Sequence, residues 1–136
     1  MTTSNAAAEW KDRKSVLPTL WVFAVLTYIY ADLAPMILNP AAPRFGTGAS
    51  DGLVLGLAVF MESAIAMALL SRVLRYRANR WANVGVALFH AATITWSLWA
   101  GWPPTAYHAF SLIIVVACMV VIAWYAWTWP STRSQP

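Results

Sequence analysis

The chain has 136 residues, 60% hydrophobic and 10% charged, with a formal net charge of +4. A soluble domain carries about 25% charged residues, so too little polar material is present to coat a water-facing surface. No Lys/Arg run is interleaved with aromatics, which argues against nucleic acid as a partner, and Cys118 stands alone, which excludes an internal disulfide or a two-cysteine redox motif.

The first 16 residues are polar and mixed in charge, and read as a tail on the cytoplasmic side. An apolar run then extends over 17–38, "LPTLWVFAVLTYIYADLAPMIL", with Pro18 tolerated in a first helical turn. At about 1.5 Å per residue it crosses a hydrocarbon layer of about 30 Å. It is too long for the h-region of a cleaved signal peptide, so it is read as a retained helix. Near its end Pro35 can free the carbonyl of Ala31 beside Asp32.

Residues 39–51 are rich in Pro, Gly, Ala and Ser and read as a loop. The second helix is predicted over 52–74. Its small residues at four-residue spacing, Gly52 with Gly56 and Ala64 with Ala68, suit close helix approach in lipid. A short basic turn follows, then a third helix over 82–102 and a fourth over 106–129, with a polar tail at 130–136. Short connections make neighbouring helices antiparallel, so the expected fold is an all-α, up-down bundle of four transmembrane helices.

Orientation follows from the basic residues. Lys11, Arg13, Lys14, Arg72, Arg75, Arg77, Arg80 and Arg133 fall on one side and Arg44 alone on the other, which places both termini in the cytoplasm. Tryptophans cluster near both boundaries in this frame, Trp81 and Trp127 inside and Trp99 and Trp102 outside. The turn carrying Arg72, Arg75, Arg77 and Arg80 is a candidate contact for anionic lipid headgroups.

Three ionisable side chains lie inside apolar runs: Asp32, Glu62 and His90. A charge exposed to lipid is costly, so each is expected to face the bundle interior or to be neutral. Glu62 lies ten residues before Arg72 and His90 nine after Trp81, so both sit about 14–15 Å from the inner boundary. Asp32 sits nearer the outer one. Polar seams accompany them: Tyr28, Asp32, Pro35 and Asn39 on the first helix, Asn83, His90 and Ser97 on the third, Ser111, Cys118 and Tyr125 on the fourth. The expected site is a polar cavity open to the outside, floored by a Glu62–His90 hydrogen bond and walled by Asp32, Tyr28, Ser97, Ser111 and His108. Interhelical adhesion is the plainer use of such groups.

The stretches "LWVFAVLTYIYADLAPMI", "LGLAVFMESAIAMALLSRVLRYRANRWANV" and "WYAWTW" resemble an uncharacterised family of small bacterial four-helix membrane proteins, over about residues 17–129. The most specific pieces are Tyr30–Asp32, Met61–Glu62 and Leu69–Asn83. A Glu in the second helix followed by a basic turn is also distantly similar to the DoxX-like group, whose proposed roles are in membrane redox or assembly with partner enzymes. The resemblance implies a multi-pass protein of the bacterial cytoplasmic membrane and assigns no activity. Two histidines and one cysteine give no haem or iron–sulfur pattern, so no cofactor or metal is expected.

Three functions follow from these residues. One is binding of a small polar or amphipathic ligand in the intramembrane pocket, with a proton as a companion. The second is an accessory subunit docking to another membrane protein through Gly52 and Gly56, a homo-oligomer being the other assembly to expect. The third is an enzyme using the acid–imidazole pair on a lipid or quinone, with no nucleophile, phosphate-loop or metal motif to support it.

Overall fold

A computed structural model describes residues 2–38, 48, 50–99 and 105–129, with side chains from residue 14 onward except Pro35. The chain forms four helices: α1 (Thr2–Leu38), α2 (Asp51–Val73), α3 (Tyr76–Trp99) and α4 (Ala106–Trp127), with no strand among the described residues. The expected loop at 39–47, Arg44, Trp102 and the tail with Arg133 lie outside the described residues, as do the side chains of Pro35, Lys11 and Arg13.

Local chemistry sets the helix ends. Ser50 caps α2, its Oγ accepting from the Leu53 N–H at 3.4 Å, and Asp51 complements the first turn. Thr105 caps α4, its Oγ1 accepting from the His108 N–H at 3.2 Å. At the other end of α2, Leu74 is extended (φ −63°, ψ 144°). Only Leu74 and Arg75 separate α2 from α3.

Two boundaries differ from the sequence-based expectation. α1 begins at Thr2 rather than residue 17, because Ala6, Ala7, Ala8, Glu9 and Lys11 are good helix formers whatever their polarity. α3 begins at Tyr76 rather than 82, since Arg77, Ala78, Asn79 and Arg80 need no break once Leu74 has turned the chain. Hydropathy marks where a helix enters lipid, not where it starts.

α1 packs against α2 and α4, and α3 packs closely against α4 and more loosely against α2. The helices therefore stand in a ring, with α1–α3 and α2–α4 as diagonals. Side-chain bonds fix the directions. Cys118 Sγ reaches the Leu20 carbonyl at 3.5 Å and Tyr107 Oη reaches that of Tyr30 at 3.0 Å, so α1 and α4 are antiparallel. Ser71 meets Asn83 and Ser63 meets His90, so α2 and α3 are antiparallel too.

The centre is filled by Leu17 and Trp21 from α1, Met67 from α2, Ala87 from α3, and Val115, Met119 and Ile122 from α4. The outside is equally apolar: Leu26, Leu55, Leu69, Trp96, Trp99 and Trp124 are all exposed. Such a surface suits acyl chains rather than water. Three helices are long and apolar enough to cross a membrane: α1 from Lys14 to Leu38, α2, and α4. α3 has the length but carries Arg77, Asn79, Arg80, Asn83 and His90, of which Asn79, Asn83 and His90 are buried in the bundle.

Candidate functional site

The polar residues of the bundle are concentrated along the α1–α3 diagonal. Trp21 and Tyr28 are seven residues apart on α1, and Asn83 and His90 seven apart on α3. Two turns return a residue to nearly the same face, and the two helices run parallel. The result is two rungs, Trp21 to Asn83 and Tyr28 to His90.

The first rung is a hub on Asn83. Its Oδ1 accepts from Trp21 Nε1 at 2.7 Å and from Ser71 Oγ at 3.0 Å. Its Nδ2 donates to the carbonyl and the side-chain oxygen of Asn79, at 2.8 and 2.7 Å. Asn79 Nδ2 in turn donates to the Ser71 carbonyl at 2.8 Å. All four residues are buried, and each buried amide has found partners, as a low-dielectric interior requires.

The second rung is a relay through His90, which is 0% exposed. Tyr28 Oη lies 3.0 Å from Nδ1, and Ser63 Oγ 2.8 Å from Nε2. Ser63 Oγ also donates to the Phe60 carbonyl at 2.7 Å, which commits its hydrogen. The imidazole then donates from Nε2 to Ser63, and as a neutral ring it accepts at Nδ1 from Tyr28. A neutral ring satisfies every group in this chain. Phe60 stacks on it at 3.9 Å and 27°, and Trp21 meets it edge-on at 5.8 Å.

Ser63 and Phe60 also form part of a groove between α2 and α3, the loosest-packed neighbours. It has a volume of about 210 Å³ and is lined by Gly56, Val59, Phe60, Ser63, Gly85, Val86 and Phe89. The two glycines keep it open: a Cβ at Gly56 or Gly85 would meet nothing within 4 Å. Its wall is apolar except for Ser63, whose hydroxyl, after accepting from His90 and donating to Phe60, retains one lone pair.

The expected site residues are placed differently from one another. Tyr28 and His90 are joined. The expected Glu62–His90 hydrogen bond does not form: both ring nitrogens are taken by Tyr28 and Ser63, and Glu62 is exposed. Ser63, the neighbour of Glu62, meets His90, so the two expected residues are level in the bundle and the rotation is one residue off, since successive helical residues differ by about 100°. Asp32 is exposed at the far end of α1, close enough to His108 for their charges to interact. Ser97 donates to the Ile94 carbonyl and Ser111, buried, to that of Tyr107. The described residues thus join Tyr28 and His90 by a hydrogen bond, whereas Ser97 and Ser111 bond to carbonyls of their own helices and Asp32 and Glu62 are exposed. Arg72, Arg75 and Arg77 are exposed at the α2–α3 turn, while Arg80 lies 5.0 Å over the Trp127 ring. No group of three or more metal-ligating side chains occurs among the described residues.

Sequence reasoning missed Trp21, Ser63, Ser71 and Asn79. The signal for Trp21 was its spacing of seven from Tyr28, matching Asn83 and His90. Ser63 carried no signal beyond adjacency to Glu62.

Residues 6–134 match a family described as a family of unknown function (DUF6326). No curated protein matches the chain, and no solved structure does.

Proposed function

We propose a function for a chain that belongs to this family of unknown function: it is a four-pass membrane protein that binds an amphipathic molecule of the bilayer in the groove between α2 and α3. The apolar part of that molecule lies against Gly56, Val59, Gly85 and Phe89, and one hydrogen-bond donor, such as a hydroxyl, meets Ser63. The groove is smaller than the roughly 300–1,000 Å³ of sites that enclose a drug-sized ligand, so it holds a segment of a longer chain.

The observation that carries this reading is the pairing of an apolar, glycine-opened groove with a single polar group at its wall, backed by the His90 relay. The relay fixes Ser63 as an acceptor toward the groove, which selects a donor on the ligand. Of the residues expected from the sequence, Tyr28 and His90 enter this reading, and they do so behind Ser63 rather than in the groove wall.

The setting belongs to the same reading. α3 is the fourth crossing, because its buried Asn79, Asn83 and His90 turn their polar groups inward and leave an apolar outer face. The lopsided Lys/Arg distribution supports cytoplasmic termini. Arg72, Arg75 and Arg77 then lie at the headgroup level, where anionic lipids attract them.

The test is photolabelling in liposomes with a long-chain alcohol carrying a diazirine on its alkyl chain. Labelled peptides should cluster at Gly56–Ser63 and Gly85–Phe89, and Gly85→Leu should remove them. Labelling spread evenly over the outward-facing residues, and indifferent to Gly85→Leu, contradicts the reading.

A further inference from the structure

Glu62 occupies the midpoint of α2, eleven residues from Asp51 and eleven from Val73. In a membrane-crossing helix this is the level farthest from water. The buried side of α2 is marked by Ala64, Met67 and Ser71, and Glu62 points away from it, among exposed Leu55 and Leu69. His90, the imidazole at the same level, has both nitrogens bonded to Tyr28 and Ser63. Among the described residues nothing inside the bundle answers this carboxyl, and acyl chains offer it no hydrogen bond.

We propose that a second copy of the chain covers it, α2 against α2, with the two Glu62 carboxyls hydrogen-bonded to each other across a two-fold axis. The inference rests on the membrane-spanning reading of the bundle and not on the ligand groove.

Three features favour a second copy over an unrelated partner. Copies inserted in the same orientation hold Glu62 at the same depth, so a two-fold axis along the membrane normal brings the carboxyls level without further adjustment. A protonated carboxyl is self-complementary, since its O–H donates and its C=O accepts, and a pair closes two hydrogen bonds with no net charge. Ala58 and Ala66, one turn before and after Glu62, are small enough to let two α2 backbones approach. Gly56, by contrast, opens onto the groove toward α3 and not onto this face. The contact surface thus shifts from the expected Gly52–Gly56 pair to Ala58, Glu62 and Ala66.

The experiment uses the full chain with Cys118→Ala, which removes the buried thiol, and Ala66→Cys as a cross-linking probe in native membranes under mild oxidation. A disulfide-linked dimer is expected. Glu62→Gln, which still donates and accepts, should keep the dimer, whereas Glu62→Leu should lower its yield at least tenfold. Gly85→Leu should leave the yield unchanged, which separates this proposal from the ligand reading. Tryptophan emission reports that each variant is folded. A folded Ala66→Cys protein that stays monomeric, a Glu62→Leu protein that cross-links as well as its parent, or native mass spectra showing a foreign chain on this face would each overturn the proposal.

Discussion

The Tyr28 hydroxyl lies 3.0 Å from Nδ1 of His90, across the bundle diagonal and 62 residues along the chain. Trp21 and Asn83 are separated by the same 62 residues and joined at 2.7 Å. Constant separation is what two parallel helices in register produce. These two bonds join α1 to α3, which are not neighbours in the ring, and hold the imidazole that backs the groove.

Removing the upper rung should have a measurable cost. Tyr28→Phe deletes the hydroxyl and leaves Nδ1 of His90 without a donor. The expected loss is about 1–3 kcal/mol, the cost of leaving one buried acceptor unsatisfied. Thermal unfolding in a mild detergent checks it, and an unchanged midpoint would show that the bond contributes nothing.

Asn83 is the more sensitive position. Asn83→Ala strands the Trp21 indole N–H, the Ser71 hydroxyl and the Asn79 side-chain oxygen at once. A buried group left unsatisfied costs about 1–3 kcal/mol, so the loss should be at least twice that of Tyr28→Phe in the same assay. Equal losses would contradict the hub.

Tryptophan positions give a test of the arrangement itself. Trp21 is 0% exposed, whereas Trp96, Trp99 and Trp124 are 65%, 78% and 64% exposed. In bilayers of brominated lipid, a variant retaining only Trp21 should keep its emission, and variants retaining only Trp96 or only Trp124 should be strongly quenched. Quenching of Trp21 to the same extent would place α1 outside the bundle.

The groove glycines should oppose stability. A methyl group at Gly56 or Gly85 meets nothing within 4 Å, and glycine in a helix interior is disfavoured relative to alanine by about 0.5–1 kcal/mol. Gly56→Ala and Gly85→Ala should therefore raise the unfolding midpoint while weakening labelling by the alkyl probe. A fall in stability at either position would show that the groove is closed by packing.

Much of the fold was legible. Apolar run lengths indicate four helices, and the breaks near Ser50 and Leu74 follow from the Pro/Gly-rich loop and the short basic turn. The seven-residue recurrence of Asn83 and His90 marks the inward seam of α3, and residue spacing puts Glu62 and His90 level with each other, as the Ser63–His90 bond has them. The rotation of α2 is not legible, since Ser63 and not the expected Glu62 faces His90. In water, polar and apolar faces disclose a helix's orientation. In lipid the outer face of α2, with Leu55 and Leu69, is as apolar as the inner one with Ala64 and Met67, so composition carries no contrast to read. The start of α1 was obscured for the opposite reason, because helix propensity at Ala6–Ala8 is independent of the hydropathy used to find it.

The most direct measurement is ¹⁵N magnetic resonance of the His90 ring in bilayers. A neutral imidazole protonated at Nε2 is expected. Its Nδ1 resonance should move with Tyr28→Phe, its Nε2 resonance with Ser63→Ala, and neither with Glu62→Gln. A doubly protonated ring, or one that responds to Glu62→Gln and ignores Tyr28 and Ser63, would contradict the account.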